Sequence, residues 1–228
     1  MQTGTSDLAM GPAYLRRVTA IGGLPLVRIY RPRPVVAFGG RDRVNPGYDR
    51  AVDAALRHGF LPVLRAPGGH AVAYTPASVC IEFSASEAEP HAGTQERFTT
   101  LTGLIRDALQ NVGVATEMGA AVDEYCPGDY SLGIAGQHKI AGTAQRIVRG
   151  GWMFGAGIVC GDGERVRDVL TDVYGALALP FDPQSVLPTT DVSPAATADA
   201  CITALREVLD AHFQTHPWDD QGDPTGSQ

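Results

Sequence analysis

Between residues 129 and 160, three strand-like segments follow one another with only glycine-containing turns between them: DYSLGIAG, KIAGTAQRIV and WMFGAGIVC. Such a run puts a sheet at the centre of whatever this chain folds into. Upstream, PLVRIYRP, PVVAFGG, LPVLRAP, AVAYT and SVCIEFSA read as further short strands, rich in β-branched and aromatic residues. Helices are expected at four places. Residues 47–59 form one, closed by Gly59. Residues 94–112 form a second, with Phe98, Leu101, Ile105, Ala108, Leu109 and Val112 on one stripe. The others cover 164–178, with Val166, Val169, Leu170, Val173 and Leu177 on one face, and 198–213. Residues 180–196 are rich in Pro, Thr, Ser and Asp and read as a connector, and no internal repeat is present. Strands dominate the first two thirds and helices the end, so the expected class is α/β or α+β with one mixed sheet.

The 228 residues, 44% of them apolar, suit one domain with a sizeable core, placed at residues 12–214, with 215–228 as a disordered tail. A net charge of −7 and no basic block argue against nucleic acid as a partner. The N-terminal residues hold no apolar signal region and no stretch approaches membrane-spanning length, so a cytoplasmic protein without a membrane partner is expected. Cys80, Cys126, Cys160 and Cys201 form no CxxC pair and no close Cys/His cluster. Neither a disulfide framework nor a metal site is expected.

Three short stretches carry the chemistry. Of the 18 basic residues, Lys139 in GQHKIAGTAQR is the one lysine. Arginine substitutes for lysine on a solvated face, but fails where a compact ammonium must touch one atom in a tight site. Strict alternation sends the Lys139 side chain the same way as Ala141 and Thr143, while Gly142 and Ala144 leave the strand thin enough to border a slot for a slender ligand. A charged side chain at the edge of such a slot adds little to the core, so the fold is expected to survive its loss. In RAPGGHAVAY, Gly68 and Gly69 let the backbone approach a ligand, with Arg65 upstream and His70 and Ala71 following. In YCPGDYSLGI, Cys126 precedes a rigid Pro-Gly turn, and the acidic Asp123, Glu124 and Asp129 around it argue for exposure. A loop thiol so held is a plausible nucleophile. Cys160 and Cys201 instead fit buried apolar positions.

Taken together, RAPGGHAV and CPGDYSLGIAGQHKIAGTAQR resemble the lipoate–protein ligase and octanoyltransferase superfamily, whose catalytic domain is shared with biotin–protein ligases. The family pairs an R-x-S-G-G-x-A-V loop with a K-[IV]-[AS]-G-x-[AS]-Q strand. A thiol in C-P-G-x-[YF]-x-L is similar to its cysteine-dependent branch, and VVAFGGRDRVNPGY looks like that branch's early strand and loop. The resemblance spans about residues 25–160. It implies a mainly antiparallel mixed sheet flanked by helices. It also implies an acyltransferase that moves an octanoyl or lipoyl group through a Cys126 thioester onto a lysine of a lipoyl-domain protein. By the same resemblance Lys139 contacts the acyl carbonyl, and Arg65, Gly68, Gly69, His70, Ala71, Gly142, Thr143 and Ala144 line the substrate site. The implied partners are a lipoyl-domain or glycine-cleavage-type carrier protein, with acyl carrier protein as a further donor. No cofactor is implied for the transferase. The alternative, a lipoate–protein ligase working through an acyl-adenylate, needs ATP and Mg. A third reading is a non-catalytic acyl- or carrier-binding paralogue, because Ala66-Pro67 replaces the usual polar-Ser pair and Cys80 and Glu82 stand where the family has Asn-x-Ser.

Overall fold

The computed structural model describes residues 8, 10–22, 24–213 and 219–220. The elements run α1 (Gly11–Ile21), β1 (Leu26–Tyr30), β2 (Val35–Phe38), α2 (Gly40–Arg43), α3 (Tyr48–Arg57), β3 (Leu61–Leu64), β4 (Val72–Tyr74) and β5 (Ser78–Ser86). They continue as α4 (Thr94–Asn111), β6 (Glu117–Met118), β7 (Leu132–Ile134), β8 (His138–Val148), β9 (Gly151–Val159), α5 (Gly163–Leu177), α6 (Thr189–Val192), α7 (Ala198–Phe213) and β10 (Asp219–Asp220). Every strand and helix expected from the sequence is present within a few residues. The rest of the expected C-terminal tail lies outside the described residues. Besides β6, α6 in the expected connector and β10 in the tail expected to be disordered, two elements nearer the N-terminus were not expected. One is α1, whose Leu15 and Val18 turn inward at helical spacing. The other is the short α2 after Gly39, where the Asp42 carboxylate accepts the Gly39 N–H at 2.9 Å.

The strands form two sheets instead of the single one expected. The larger has the order β10-β1-β5-β9-β8-β7-β6 and is antiparallel except for β1 with β10. The smaller, β3-β2-β4, is mixed. The chain crosses between the two sheets at residues 31–34 and again at Thr75–Ser78. There the Thr75 carbonyl accepts the Ser78 N–H at 2.8 Å, the Thr75 hydroxyl accepts the Ala77 N–H at 3.1 Å, and the Thr75 N–H donates to the Ser78 hydroxyl at 3.2 Å. This turn lifts the chain from one sheet to the other between β4 and β5.

Alternation then sorts the large sheet into two faces. Val27, Ile29, Val79, Ile81, Phe83, Phe154 and Ile158 pack with Ile105, Leu109, Cys201, Leu205 and Leu209 of α4 and α7 in one core. Phe83 meets Phe154 edge-on at 5.9 Å. Burying each such ring contributes about 1.5–3 kcal/mol. The small sheet has its own core, in which Val36 and Phe38 meet Ala51 and Ala54 of α3 and Val166, Val169 and Val173 of α5. Between the sheets lies the other face of the large one: Gly142 and Ala144 on β8, Gly155 and Gly157 on β9, Cys80 and Glu82 on β5. Among the described residues, no helix is long and apolar enough to cross a membrane.

Candidate active site

Three chain segments meet at Cys126: the 65–71 loop between β3 and β4, the loop leading from β6 into β7, and the start of β8. Cys126 itself has φ 44°, a left-handed backbone that a side-chain-bearing residue adopts only where its surroundings enforce it. The enforcement is visible. Its N–H donates to the Tyr174 hydroxyl at 2.6 Å, and that hydroxyl donates onward to the Ala71 carbonyl at 2.9 Å. Burial raises the Tyr174 pKa, so the phenol stays neutral and can serve both partners. The Cys126 sulfur accepts from the Arg65 guanidinium at 3.0 Å and from the His70 N–H at 3.3 Å. Gly69, at φ 98°, makes that approach possible: a methyl group there would stand 2.6 Å from the sulfur and 2.5 Å from Arg65 Nη2.

Lys139 is buried, with 1% of its surface exposed. Its ammonium donates to Glu124 Oε1 at 2.9 Å, to the Tyr125 carbonyl at 2.9 Å and to the Cys126 carbonyl at 2.8 Å. Three donors meet three converging oxygens, a geometry that suits an ammonium and not a planar guanidinium. The sequence suggested a point contact on a ligand at the edge of a slot. In the structure that contact is made to the nucleophile's own loop, in the interior. Burial pulls the Lys139 pKa below its ordinary value, and the Glu124 carboxylate opposes that pull. The direction of the side chain also corrects the alternation argument. The β7–β8 pairing shifts register at Leu132/Gly133, so that Leu132 faces Ala141 while Gly133 faces Lys139. The extra β8 residue breaks the alternation. Lys139 therefore lies over Gly142, whose added methyl would come 3.0 Å from Lys139 Cε, and Ala141 joins the opposite core.

Glu124 corrects a second expectation. Asp123 and Asp129 are exposed, but the Glu124 side chain is fully buried. It accepts from the Ala121 N–H at 2.8 Å, the Gly128 N–H at 3.2 Å and the Ser131 hydroxyl at 2.6 Å, besides Lys139. It is the organising centre of the Cys126 loop. Sequence reasoning missed it, together with Tyr174 and Asp42. The one available signal was a glutamate two residues before the candidate thiol and 15 before the unique lysine.

A narrow cleft opens from Cys126 between the two sheets. Of the expected site residues, Arg65, Cys126, Lys139, Gly142, Thr143 and Ala144 line it. Its floor is thin because Gly142, Ala144, Gly155 and Gly157 carry little or no side chain. Tyr74 lies over Gly157, where a methyl would fall 2.2 Å from the phenol oxygen. Gly68, Gly69, His70 and Ala71 do not line this cleft. Gly68 and Gly69 border an adjoining hollow with Arg41, Arg65 and Arg146. His70 turns its ring away to Asp42, Nδ1 to Oδ1 2.8 Å, and Ala71 is buried beneath the loop.

The model of the lipoyl protein ligase A/B catalytic domain matches residues 5–178. An octanoyl-[GcvH]:protein N-octanoyltransferase of Exiguobacterium sibiricum is 31% identical over 173 residues, 75% of this chain and 62% of that protein. A lipoyl-[GcvH]:protein N-lipoyltransferase of Listeria monocytogenes is 29% identical over 120 residues, 53% of this chain and 43% of that protein. The chain thus spans less than two thirds of the length of these relatives. The crystal structure of a lipoate-protein ligase A bound with ATP superposes with a TM-score of 0.70 at 20% identity, covering 94% of this chain and 83% of that one, and so shares its fold.

Proposed function

The chain belongs to the family of lipoyl protein ligase A/B catalytic domains, and from that premise we propose that it is an acyltransferase working through a Cys126 thioester. The observation that carries the reading is the sulfur of Cys126, held at the mouth of a narrow cleft with a guanidinium at 3.0 Å and a backbone N–H at 3.3 Å both donating to it. In the first half-reaction the sulfur bonds to the carbonyl carbon of an octanoyl or lipoyl group. The bond to the carrier breaks, and the thiol proton leaves with the carrier's amine or thiol. In the second, a lysine amine of a lipoyl-domain protein attacks the thioester, the amide forms and the thiol is restored. Arg65 and the His70 N–H face the negative charge that sulfur bears when it attacks and when it leaves. Lys139 and Glu124 are positioning residues that fix the Cys126 carbonyl and loop. The names of the relatives support a glycine-cleavage-type carrier as donor, and acyl carrier protein is a second candidate. We take residues 12–214 as the catalytic unit. We place the reaction in the cytoplasm, in keeping with four free cysteines.

One observation favours a second reading. Arg41, Arg65 and Arg146 border the Gly68-Gly69 hollow, a set that fits the phosphates of ATP in an adenylate-forming ligase. The test separates the two. Octanoyl transfer from an octanoyl carrier to a lipoyl domain proceeds in EDTA without nucleotide if the first reading holds. Transfer of octanoate that requires ATP and magnesium would replace it with the second.

A further inference from the structure

The end of the cleft remote from Cys126 is not apolar. Glu82 and Tyr30 line it, and Glu82 is 6% exposed. Arg28 Nη1 donates to Glu82 Oε2 at 2.7 Å, and the Tyr30 hydroxyl donates to Glu82 Oε1 at 3.0 Å. The Arg28 guanidinium lies between the rings of Tyr14 and Tyr30, 4.6 Å from each centroid. The N-terminus of α1 closes over this group: a methyl at Gly11 would come 3.3 Å from Glu82 Oε2. Held by α1 and by two strands of the large sheet, the carboxylate has little freedom to swing aside.

The register places this group relative to the site. Glu82 pairs with Gly155, which pairs with Ala144, so it lies two strands over and two residues along from Gly142. At about 4.8 Å between strands and about 3.3 Å per residue, that separation is roughly 12 Å. A staggered saturated chain with bonds of about 1.5 Å advances about 1.3 Å per carbon, so a chain that starts over Gly142, beneath Lys139, brings its end to Glu82 in about nine carbons.

We propose that the Arg28–Glu82 pair is a polar end wall of the cleft, which halts an alkyl chain that reaches it and accepts a hydroxyl at the chain's far end. The inference rests on reading the cleft as an acyl slot. A longer alkyl chain would have to displace or desolvate a buried ion pair. A terminal hydroxyl can hydrogen-bond there instead.

The test is calorimetric binding of hexanoate, octanoate, decanoate, dodecanoate and 8-hydroxyoctanoate to the whole chain, with intact mass of the protein after exposure to octanoyl carrier run beside it. The wild type should bind octanoate best, decanoate about tenfold more weakly, and 8-hydroxyoctanoate within about threefold of octanoate. The paired variant Arg28→Met/Glu82→Leu removes both charges at similar volume, a change that buried pairs often tolerate. It should weaken 8-hydroxyoctanoate relative to octanoate by about tenfold. Arg28→Met/Glu82→Ala, which also makes room, should bind decanoate at least as well as octanoate. If this roomier variant does not fold, the Leu variant carries the test. An unchanged 8-hydroxyoctanoate-to-octanoate ratio in a folded Leu variant overturns the proposal. So does a wild type that binds none of these acids. Chain selection that shifts as described, with no acyl adduct on the protein, upholds the end wall and removes the transferase reading instead.

Discussion

Lys139 Nζ donates to the carbonyl oxygen of Cys126 at 2.8 Å, so the one lysine of the chain holds the backbone of its candidate nucleophile. The same ammonium holds the buried Glu124 carboxylate. Position and charge at the site are therefore coupled through a single side chain.

Lys139→Ala leaves Glu124 as an uncompensated buried charge. Breaking a buried pair in this way costs about 3–5 kcal/mol. The expected outcome is a large loss of stability in urea titration, contrary to the edge position that the sequence suggested. Lys139→Met/Glu124→Gln should recover much of it while acyl transfer stays impaired. Lys139→Arg should lose activity by about 10²–10³, the scale of a lost preorganised donor, since its fork cannot meet three converging oxygens. A stable Ala variant, or an Arg variant with normal transfer, contradicts this account of the lysine.

Tyr174→Phe removes the hydroxyl that ties Cys126 to Ala71. The half-buried N–H of Cys126 and the buried Ala71 carbonyl then lose their partner, at a cost of about 1–3 kcal/mol. Acyl loading should slow as the strained Cys126 backbone relaxes. Burst kinetics of adduct formation read this directly. A loading rate equal to wild type would show that the tether does not position the sulfur.

Gly69→Ala puts a methyl 2.6 Å from the Cys126 sulfur at φ 98°. Adduct formation should disappear, while circular dichroism keeps the native spectrum. Gly68→Ala, where an added methyl meets nothing within 4 Å, should load normally. Equal behaviour of the two variants would contradict the close approach of loop and thiol.

Gly157→Ala crowds the floor of the cleft under Tyr74, and overpacking of this kind costs about 1–3 kcal/mol. Octanoate binding should be lost or strongly weakened by calorimetry. Retained binding would show that the chain does not run across β9.

How much of this could be read in advance follows from which interactions are local. Helices α3, α4, α5 and α7 were legible because their apolar spacing is a property of each segment alone. The Gly68-Gly69 loop, Cys126 and Lys139 were legible as residue types whose chemistry is unusual in this composition. The direction of the Lys139 side chain was not, because it depends on a register shift set by pairing with β7. Glu124 was hidden for the converse reason: flanked by exposed Asp123, it reads as part of a solvated acidic run until its three backbone and hydroxyl donors are brought around it. The division into two sheets depends on two short connections, residues 31–34 and Thr75–Ser78, which a pattern of strands does not distinguish from hairpins.

The most direct measurement is intact-mass spectrometry after incubation with an octanoyl carrier. The account predicts one added acyl group that hydroxylamine removes, that Cys126→Ala abolishes, and that Cys80→Ala, Cys160→Ala and Cys201→Ala retain. Cys80 is the critical control, since it lines the same cleft. An adduct that persists in Cys126→Ala, or that vanishes only in Cys80→Ala, would contradict the assignment of Cys126 as the acyl-accepting thiol.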